Sequence, residues 1–594
     1  MKTIVSKWLI MIFLTAIMAG AYAEPQKCLT WIDLPEQNES ADIDYLHVNT
    51  APLHDVTDQQ DLCDGWPVNL SSPGAGFPYT PTLFDINGDG ASEIFLTGGE
   101  TFGLSGDGSF LPGWPTSEMA YMGYGTNAQL PGPSCADVDT SGTVEILWSE
   151  RDWYAGSAHM WTFNGRNDDG MDMTGFPKTA PDESSNALNI PFVLGDSDGD
   201  GYLEAWTAHT LGNTGVYYRI YCLDHLGNLK FTTDLDPDEQ ILNLYFGDVD
   251  DNAQDEFFAV TLFNGEFRLH LFNSLGEEQA GYPVGLFSPG SGYLMNGSPI
   301  PVDLDADGNL EIILGYWTGS ASYAVAHHHD GTQVSGFPIT VATSSQLFYL
   351  GLGDITGDGT PELLAFDNHL GGNYRAWAID LATGAPLSGW PFDLPNWPKG
   401  FPTVVDVDDD SVQEICFVTD GGQLYAVSSD GATVSGYPKS MSAPSISGVS
   451  AGDIDGDGYY ELVAATWDGW VYAWDTDGSV GSDRSDWPMR GVDARNTGIF
   501  TGSSSTGIEP ANPVLQSFTP VANPARGAVE FLLPELSSAT MDIYDLSGHR
   551  MACMDASGLS RLQWHPGRDV PAGVYMARLS SGGTYMTARV ILLR

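Results

Sequence analysis

Residues 453–461 read Asp453-Ile454-Asp455-Gly456-Asp457-Gly458-Tyr459-Tyr460-Glu461, and the apolar run Leu462-Val463-Ala464 follows at once. Carboxylates stand at positions 1, 3 and 5 of this nonapeptide, a glycine at position 6 and a glutamate at position 9. Alternate residues of a tight loop can turn their carboxylates towards one centre. Calcium is a hard cation that takes six to eight oxygens at roughly 2.3–2.6 Å, so such a loop supplies most of a coordination shell. The backbone carbonyl of position 7 adds a further oxygen. Glycine at position 6 tolerates the positive φ of a sharp turn.

The same pattern recurs eight times, starting at Asp85, Asp137, Asp196, Asp248, Asp303, Asp354, Asp406 and Asp453, with starts 52, 59, 52, 55, 51, 52 and 47 residues apart. The first two copies offer Asp85, Asn87, Asp89, Ala91 and Glu93, then Asp137, Asp139, Ser141, Thr143 and Glu145. The next two offer Asp196, Asp198, Asp200, Tyr202 and Glu204, then Asp248, Asp250, Asn252, Gln254 and Glu256. Asp303, Asp305, Asp307, Asn309 and Glu311 follow, then Asp354, Thr356, Asp358, Thr360 and Glu362. The last two offer Asp406, Asp408, Asp410, Val412 and Glu414, and Asp453, Asp455, Asp457, Tyr459 and Glu461. Position 7 contributes its carbonyl in each. Ser141 and Asn252 at position 5, and Asn87 and Thr356 at position 3, replace carboxylates, so those loops are expected to bind through water or more weakly. Up to eight calcium ions follow from the pattern.

An EF-hand needs its bidentate glutamate at position 12 and helices on both sides. Here the acid falls at position 9 and a strand follows: Ile94-Phe95-Leu96, Ile146-Leu147-Trp148, Phe257-Phe258-Ala259, Ile312-Ile313-Leu314. Paired calcium loops of the dockerin kind fail for the same reason. A second, often aromatic strand comes next, as in Leu424–Val427 and Val471–Trp474. A Gly-aromatic-Pro tripeptide recurs at 65–67, 113–115, 175–177, 281–283, 336–338, 389–391 and 436–438, with Asp486-Trp487-Pro488 last; it is missing near residue 232. These aromatics are expected to pack between repeats rather than to serve as sugar platforms. A unit of about 50 residues with three or four strands is a propeller blade, which buries its faces against its neighbours.

Over roughly residues 65–500 the chain resembles the FG-GAP (integrin-type, VCBS-like) calcium-binding propeller repeats. The resemblance implies a calcium ion held by positions 1, 3, 5 and 9 of each loop, and a ring of seven or eight blades, eight loops favouring eight. The fold expected is therefore all-β: a β-propeller followed by a small Ig-like β-sandwich.

The N-terminus reads as a signal peptide over residues 1–23, with Lys2 and Lys7, an apolar stretch from Trp8 to Ala16, and Ala21-Tyr22-Ala23 as cleavage site. That stretch is short for a bilayer span, and no later segment suggests one. An N-terminal extension is expected over 24–64, the propeller over 65–500 and a Ser/Gly linker over 501–512. Residues 513–594 hold short alternating strands, Val529–Leu533, Met541–Tyr544, Val574–Arg578 and Ala588–Leu592, which suggest the sandwich. Asn523-Pro524, Ile543–Gly548, Gly573-Val574-Tyr575 and the end Arg589–Arg594 resemble the C-terminal (Por) sorting domains of bacterial type IX secretion. The resemblance implies handling by that secretion machinery and a secreted or cell-surface protein. Ala552–Arg561, with Cys553, reads as a loop outside the family pattern.

The chain has 22 Lys and Arg against 78 Asp and Glu, a formal charge of −56. No basic footprint for nucleic acid or an anionic membrane is present. Of the six cysteines, Cys135, Cys222, Cys416 and Cys553 sit singly in or beside strand-like runs, and Cys28 and Cys63 share the N-terminal extension, where an oxidising compartment permits a disulfide. No catalytic constellation stands out. Gly448-Val449-Ser450-Ala451-Gly452 has the form of a nucleophile elbow but runs into a calcium loop rather than a helix. His327-His328-His329 reads as a strand end. The expected function is a non-catalytic, calcium-stabilised adhesion or binding module for extracellular glycans or proteins. A calcium-dependent polysaccharide lyase is the alternative, and a structural surface-layer component the third option. A lyase acting on uronates wants clustered cations, and the twelve Lys and Arg of residues 65–500 are scattered in sequence.

Overall fold

The computed structural model describes residues 61–500 apart from 71–79, 98–99, 117–131, 152–158, 212–216, 252–254, 289–298, 306, 344, 370–372, 446, 482–484 and 490–491, and residues 519–593 apart from 521–524, 527, 534–538, 546–549, 558, 560, 567–569 and 582–583. The leader, Cys28, most of the N-terminal extension, the 501–512 linker and Asn523-Pro524 lie outside the described residues.

The described chain is all-β and contains no helix. Its repeats form antiparallel sheets in sequence order. Thr82–Phe84, Glu93–Thr97 and Thr101–Leu104 make the first. The second and third units share one seven-stranded sheet, because the strand Lys178–Gly195 pairs with His159–Asn167 on one side and with Glu204–Leu211 on the other. Four-stranded sheets begin at Gln240–Gly247, Ile300–Val302 and Pro398–Val405, and a five-stranded one at Ser345–Gly353. The last consists of Val449–Gly452, Tyr459–Ala465 and Trp470–Ser479, and its fourth strand is Val68–Asn69 from the start of the described chain. The second strand of each sheet is apolar on both faces, as expected for a strand covered on both sides: Glu93–Thr97 and Glu414–Thr419 are buried throughout.

Neighbouring sheets pack face to face through mixed cores. Trp206 stacks on Phe257 of the following sheet at 4.0 Å between ring centroids, and Trp114 meets Trp148 at 5.6 Å. The Gly-aromatic-Pro tripeptides are inter-sheet contacts. Trp66, Trp114, Phe176 and Trp390 are buried. Trp66 Nε1 donates to the Gly106 carbonyl and Trp390 Nε1 to the Ser429 carbonyl, at 2.7 and 2.8 Å, each on the turn of the next repeat. Gly389 lies so close to that turn that a Cβ there would sit 1.7 Å from the Asp430 carbonyl oxygen. Where the tripeptide is missing, Phe231 takes its place. Phe231 packs edge-on to Trp206, Thr233 Oγ1 donates to the Gly276 carbonyl at 2.7 Å, and a Cβ on Gly276 would strike the Phe231 ring.

The C-terminal segment has two sheets. One orders Thr519–Pro520, Val529–Leu532 and Arg561–Trp564; the other orders Ala525–Arg526, Thr584–Leu593, Gly573–Ser581, Thr540–Asp545 and Arg550–Asp555. Phe531, Met541, Ile543, Trp564, Tyr575, Leu579 and Val590 form their common core. One expectation needs correction. Part of the loop Ala552–Arg561 is the edge strand Arg550–Asp555, whose alternating exposed and half-buried residues give a weak period-two signal. The expected pairing with Cys28 falls outside the described residues, and Cys63 is a buried thiol. Burial pushes its pKa well up, and the Asp475 carboxylate beside it adds to the shift. No helix among the described residues is long and apolar enough to cross a membrane.

Candidate metal centres

Every acidic nonapeptide joins the first strand of a repeat to the second, so position 9 lies at or near the start of the buried second strand, and the described residues of positions 3 to 7 are exposed or half-buried. One hydrogen bond repeats in all eight copies. The position-9 glutamate uses Oε2 to accept the backbone N–H of position 2: Glu93 from Ile86, Glu145 from Val138, Glu204 from Ser197, Glu256 from Val249, Glu311 from Leu304, Glu362 from Ile355, Glu414 from Val407 and Glu461 from Ile454, at 2.7–3.4 Å. That clamp turns the other oxygen, Oε1, into the loop.

Position 1 holds the turn. Asp453 accepts Gly456 N–H on one oxygen and Gly458 N–H on the other, at 2.7 and 2.9 Å. Asp85 binds Gly88 and Gly90, and Asp406 binds Asp409 and Ser411, in the same way. The position-5 aspartate accepts the N–H of position 7, as Asp457 does from Tyr459 and Asp89 from Ala91. Position 6 has positive φ wherever it is described, from +71° at Ser411 to +95° at Gly90. Position 4 is left-handed as well, including Thr140, Asp251 and Asp409.

Among the described residues, carboxylate oxygens of positions 1, 3 and 9 lie within 4.8 Å of one another in loops that include Asp137, Asp139 and Glu145; Asp196, Asp198 and Glu204; Asp248, Asp250 and Glu256; Asp303, Asp305 and Glu311; and Asp406, Asp408 and Glu414. Asn252 and Gln254 lie outside the described residues. Such proximity is electrostatically costly without a cation. Burial, and then the neighbouring aspartates, push Glu93, Glu145 and Glu362 up to about 7, and Glu414 and Glu461 up to about 8. Asp250 Oδ1 is buried with no hydrogen-bond partner among the described residues. The donor set is all oxygen, with three or four carboxylates per loop, as a hard divalent cation requires.

Different side chains meet the inward Oε1 from loop to loop. Asn87 Nδ2 donates to Glu93 at 2.6 Å, Thr356 Oγ1 to Glu362 at 3.4 Å and Thr143 Oγ1 to Glu145 at 3.3 Å. His328 Nδ1 lies 2.7 Å from Glu311 Oε1, because strand register sets the two residues opposite each other. Lys230 Nζ lies 2.9 Å from Glu204 Oε1 and 2.7 Å from Asp198 Oδ2. Sequence reading missed both. A run of histidines at a strand end gave some hint of the first; nothing near residue 200 hinted at the second.

The remaining candidates are structural. Ser450 of the elbow-like pentapeptide is fully buried in the strand Val449–Gly452, with its hydroxyl donated to the Pro81 carbonyl. His327 is buried beside the Gly331 carbonyl. Seven of the twelve basic residues in 65–500 pair with acids: Arg166, Arg219, Lys230, Arg268, Arg375, Lys439 and Arg495.

No curated protein matches the sequence. Among solved structures, the computationally designed Ika8 protein aligns with 70% of this chain and 99% of its own at 10% identity and a TM-score of 0.38. BBS1N in complex with ARL6DN aligns with 70% of this chain and 98% of its own at 12% identity and a TM-score of 0.36. Neither likeness is close enough to carry an argument. Within the chain, residues 264–365, which contain the fifth and sixth loops and the whole sheet between Ile300 and Thr343, match the FG-GAP-like repeat family.

Proposed function

We propose that the eight repeats close into a calcium-bound propeller, carried to the bacterial cell surface by an Ig-like C-terminal sorting module, and that it binds extracellular glycans or proteins there without catalysis. The recurring clamp from position-9 glutamate to position-2 N–H carries this reading, because it presents one inward carboxylate oxygen per loop to a shared centre. Asp85, Asp89 and Glu93, and their counterparts in the other loops, would hold calcium, which neutralises the clustered charge and ties the first two strands of each sheet together. Closure is supported at the seam, where Val68–Asn69 completes the last sheet and Gly448 N–H donates to Thr80 Oγ1 at 2.9 Å. The paired basic residues weigh against a uronate-binding lyase site. Export and surface display rest on the leader-like start and the sorting-like end of the sequence.

The mature protein, labelled and applied to a glycan array in calcium buffer, is expected to give hits that EGTA abolishes. An ultraviolet assay for unsaturated uronide products across acidic polysaccharides should stay flat. A clear lyase signal would replace this reading with the enzymatic one.

A further inference from the structure

The third loop, Asp196–Glu204, has the same acidic set as the eighth, with glycines at positions 4 and 6 and tyrosine at position 7 of both. By sequence the two sites are equivalent. Lys230 separates them. Its ammonium donates to Asp198 Oδ2 at 2.7 Å and to Glu204 Oε1 at 2.9 Å, the inward oxygens of positions 3 and 9. The other Glu204 oxygen is held by the Ser197 N–H and hydroxyl, at 3.0 and 2.7 Å. The Lys230 and Glu204 side chains are 23% and 2% exposed, so water competes little for the pair.

We propose that Lys230 is the resident cation of the third loop, and that this loop takes no calcium while others do. The proposal rests on the calcium reading above. Calcium on the same two oxygens would lie almost against Nζ, so ammonium and metal exclude one another. The fold shows that the lysine is specific to this repeat. In five repeats the chain turns back after the third strand through a bridge, Leu104 to Phe110, Arg166 to Asp172, Phe272 to Glu278, His327 to Gln333 and Val427 to Thr433. The next residue carries no charge: it is Leu111, Met173, Val334 or Val434, and Gln279 after the Phe272 to Glu278 bridge of the fourth repeat. In the third repeat Leu223 pairs with Leu229 and the next residue is Lys230. This is also the repeat without Gly-aromatic-Pro, where the strand Leu229–Asp234 runs on and aims the lysine at the loop. A cation built into the chain keeps this repeat assembled when calcium is scarce.

The test counts calcium on the full-length protein by elemental analysis, after chelation and return to calcium buffer. Asp455→Asn with Glu461→Gln should remove one ion per chain. Asp198→Asn with Glu204→Gln should remove none. Lys230→Met, which gives the residue that the second repeat carries there at Met173, should add one. A lost ion in the third-loop double variant, or no gain in Lys230→Met, overturns the proposal; should Lys230→Met not fold, the two double variants decide it alone. If the eighth-loop double variant keeps the full count, the calcium reading itself fails and the proposal falls with it.

Discussion

Ser450 Oγ donates to the Pro81 carbonyl at 2.7 Å, across 369 residues of sequence and away from solvent. At the opposite edge of the same sheet, Val68 lies opposite Val471 in the antiparallel pair that gives the last sheet its fourth strand. The two ends of the repeat array are thus joined by side-chain bonds and by backbone pairing, and the start of the described chain supplies the outer strand of the last sheet.

Removing the Ser450 hydroxyl leaves a buried carbonyl unpaired. Ser450→Ala should therefore lower unfolding free energy by about 1–3 kcal/mol. Denaturant titration would read this as a lower midpoint with an unchanged m-value.

The buried tripeptide aromatics make a similar claim between neighbouring sheets. Trp390→Phe deletes the bond to the Ser429 carbonyl but keeps most of the ring, and should cost about 1 kcal/mol. Trp390→Ala should cost about 3–5 kcal/mol through the cavity it opens. Equal costs would show that the bond adds nothing to packing.

Position 6 of the loops offers a backbone test. Ser411 holds φ at +71°, which a glycine adopts without steric cost. Ser411→Gly should stabilise, and Gly458→Ala, at φ +88°, should destabilise by about 1–2 kcal/mol. Thermal melts in saturating calcium would measure both.

Much of this was legible in sequence because its signals are local. The acids at positions 1, 3, 5 and 9, the strand after each Glu and the aromatic second strand all sit within one repeat. Closure was not legible: Val68 and Val471 are far apart in the chain and nothing in either residue names the other. Lys230 escaped for the same reason, standing 26 residues after Glu204 and meeting it only through the return of the sheet. The left-handed position 4 was hidden because Thr140, Asp251 and Asp409 are not glycines. Arg550–Asp555 read as a loop because an edge strand buries little.

Protonation should distinguish metal-free from calcium-bound protein. Burial raises Glu93, Glu145 and Glu362 to about 7 and Glu414 and Glu461 to about 8. The folded state thus holds these protons more tightly than the unfolded chain, whose glutamates titrate near 4.5. Their contribution to stability is fully present below that value and is lost as pH rises through 7–8. In excess EGTA the melting temperature should therefore fall between pH 6 and pH 9. With saturating calcium it should hold or rise over the same range, because metal binding requires the deprotonated acids.

The most direct test is calcium itself. Full-length protein stripped of metal should melt well below the calcium-loaded form, with titrated calcium raising the transition until several ions are bound per chain. If the chain binds no calcium, or its melt is the same in excess EGTA, the acidic loops do not hold the sheets together through metal.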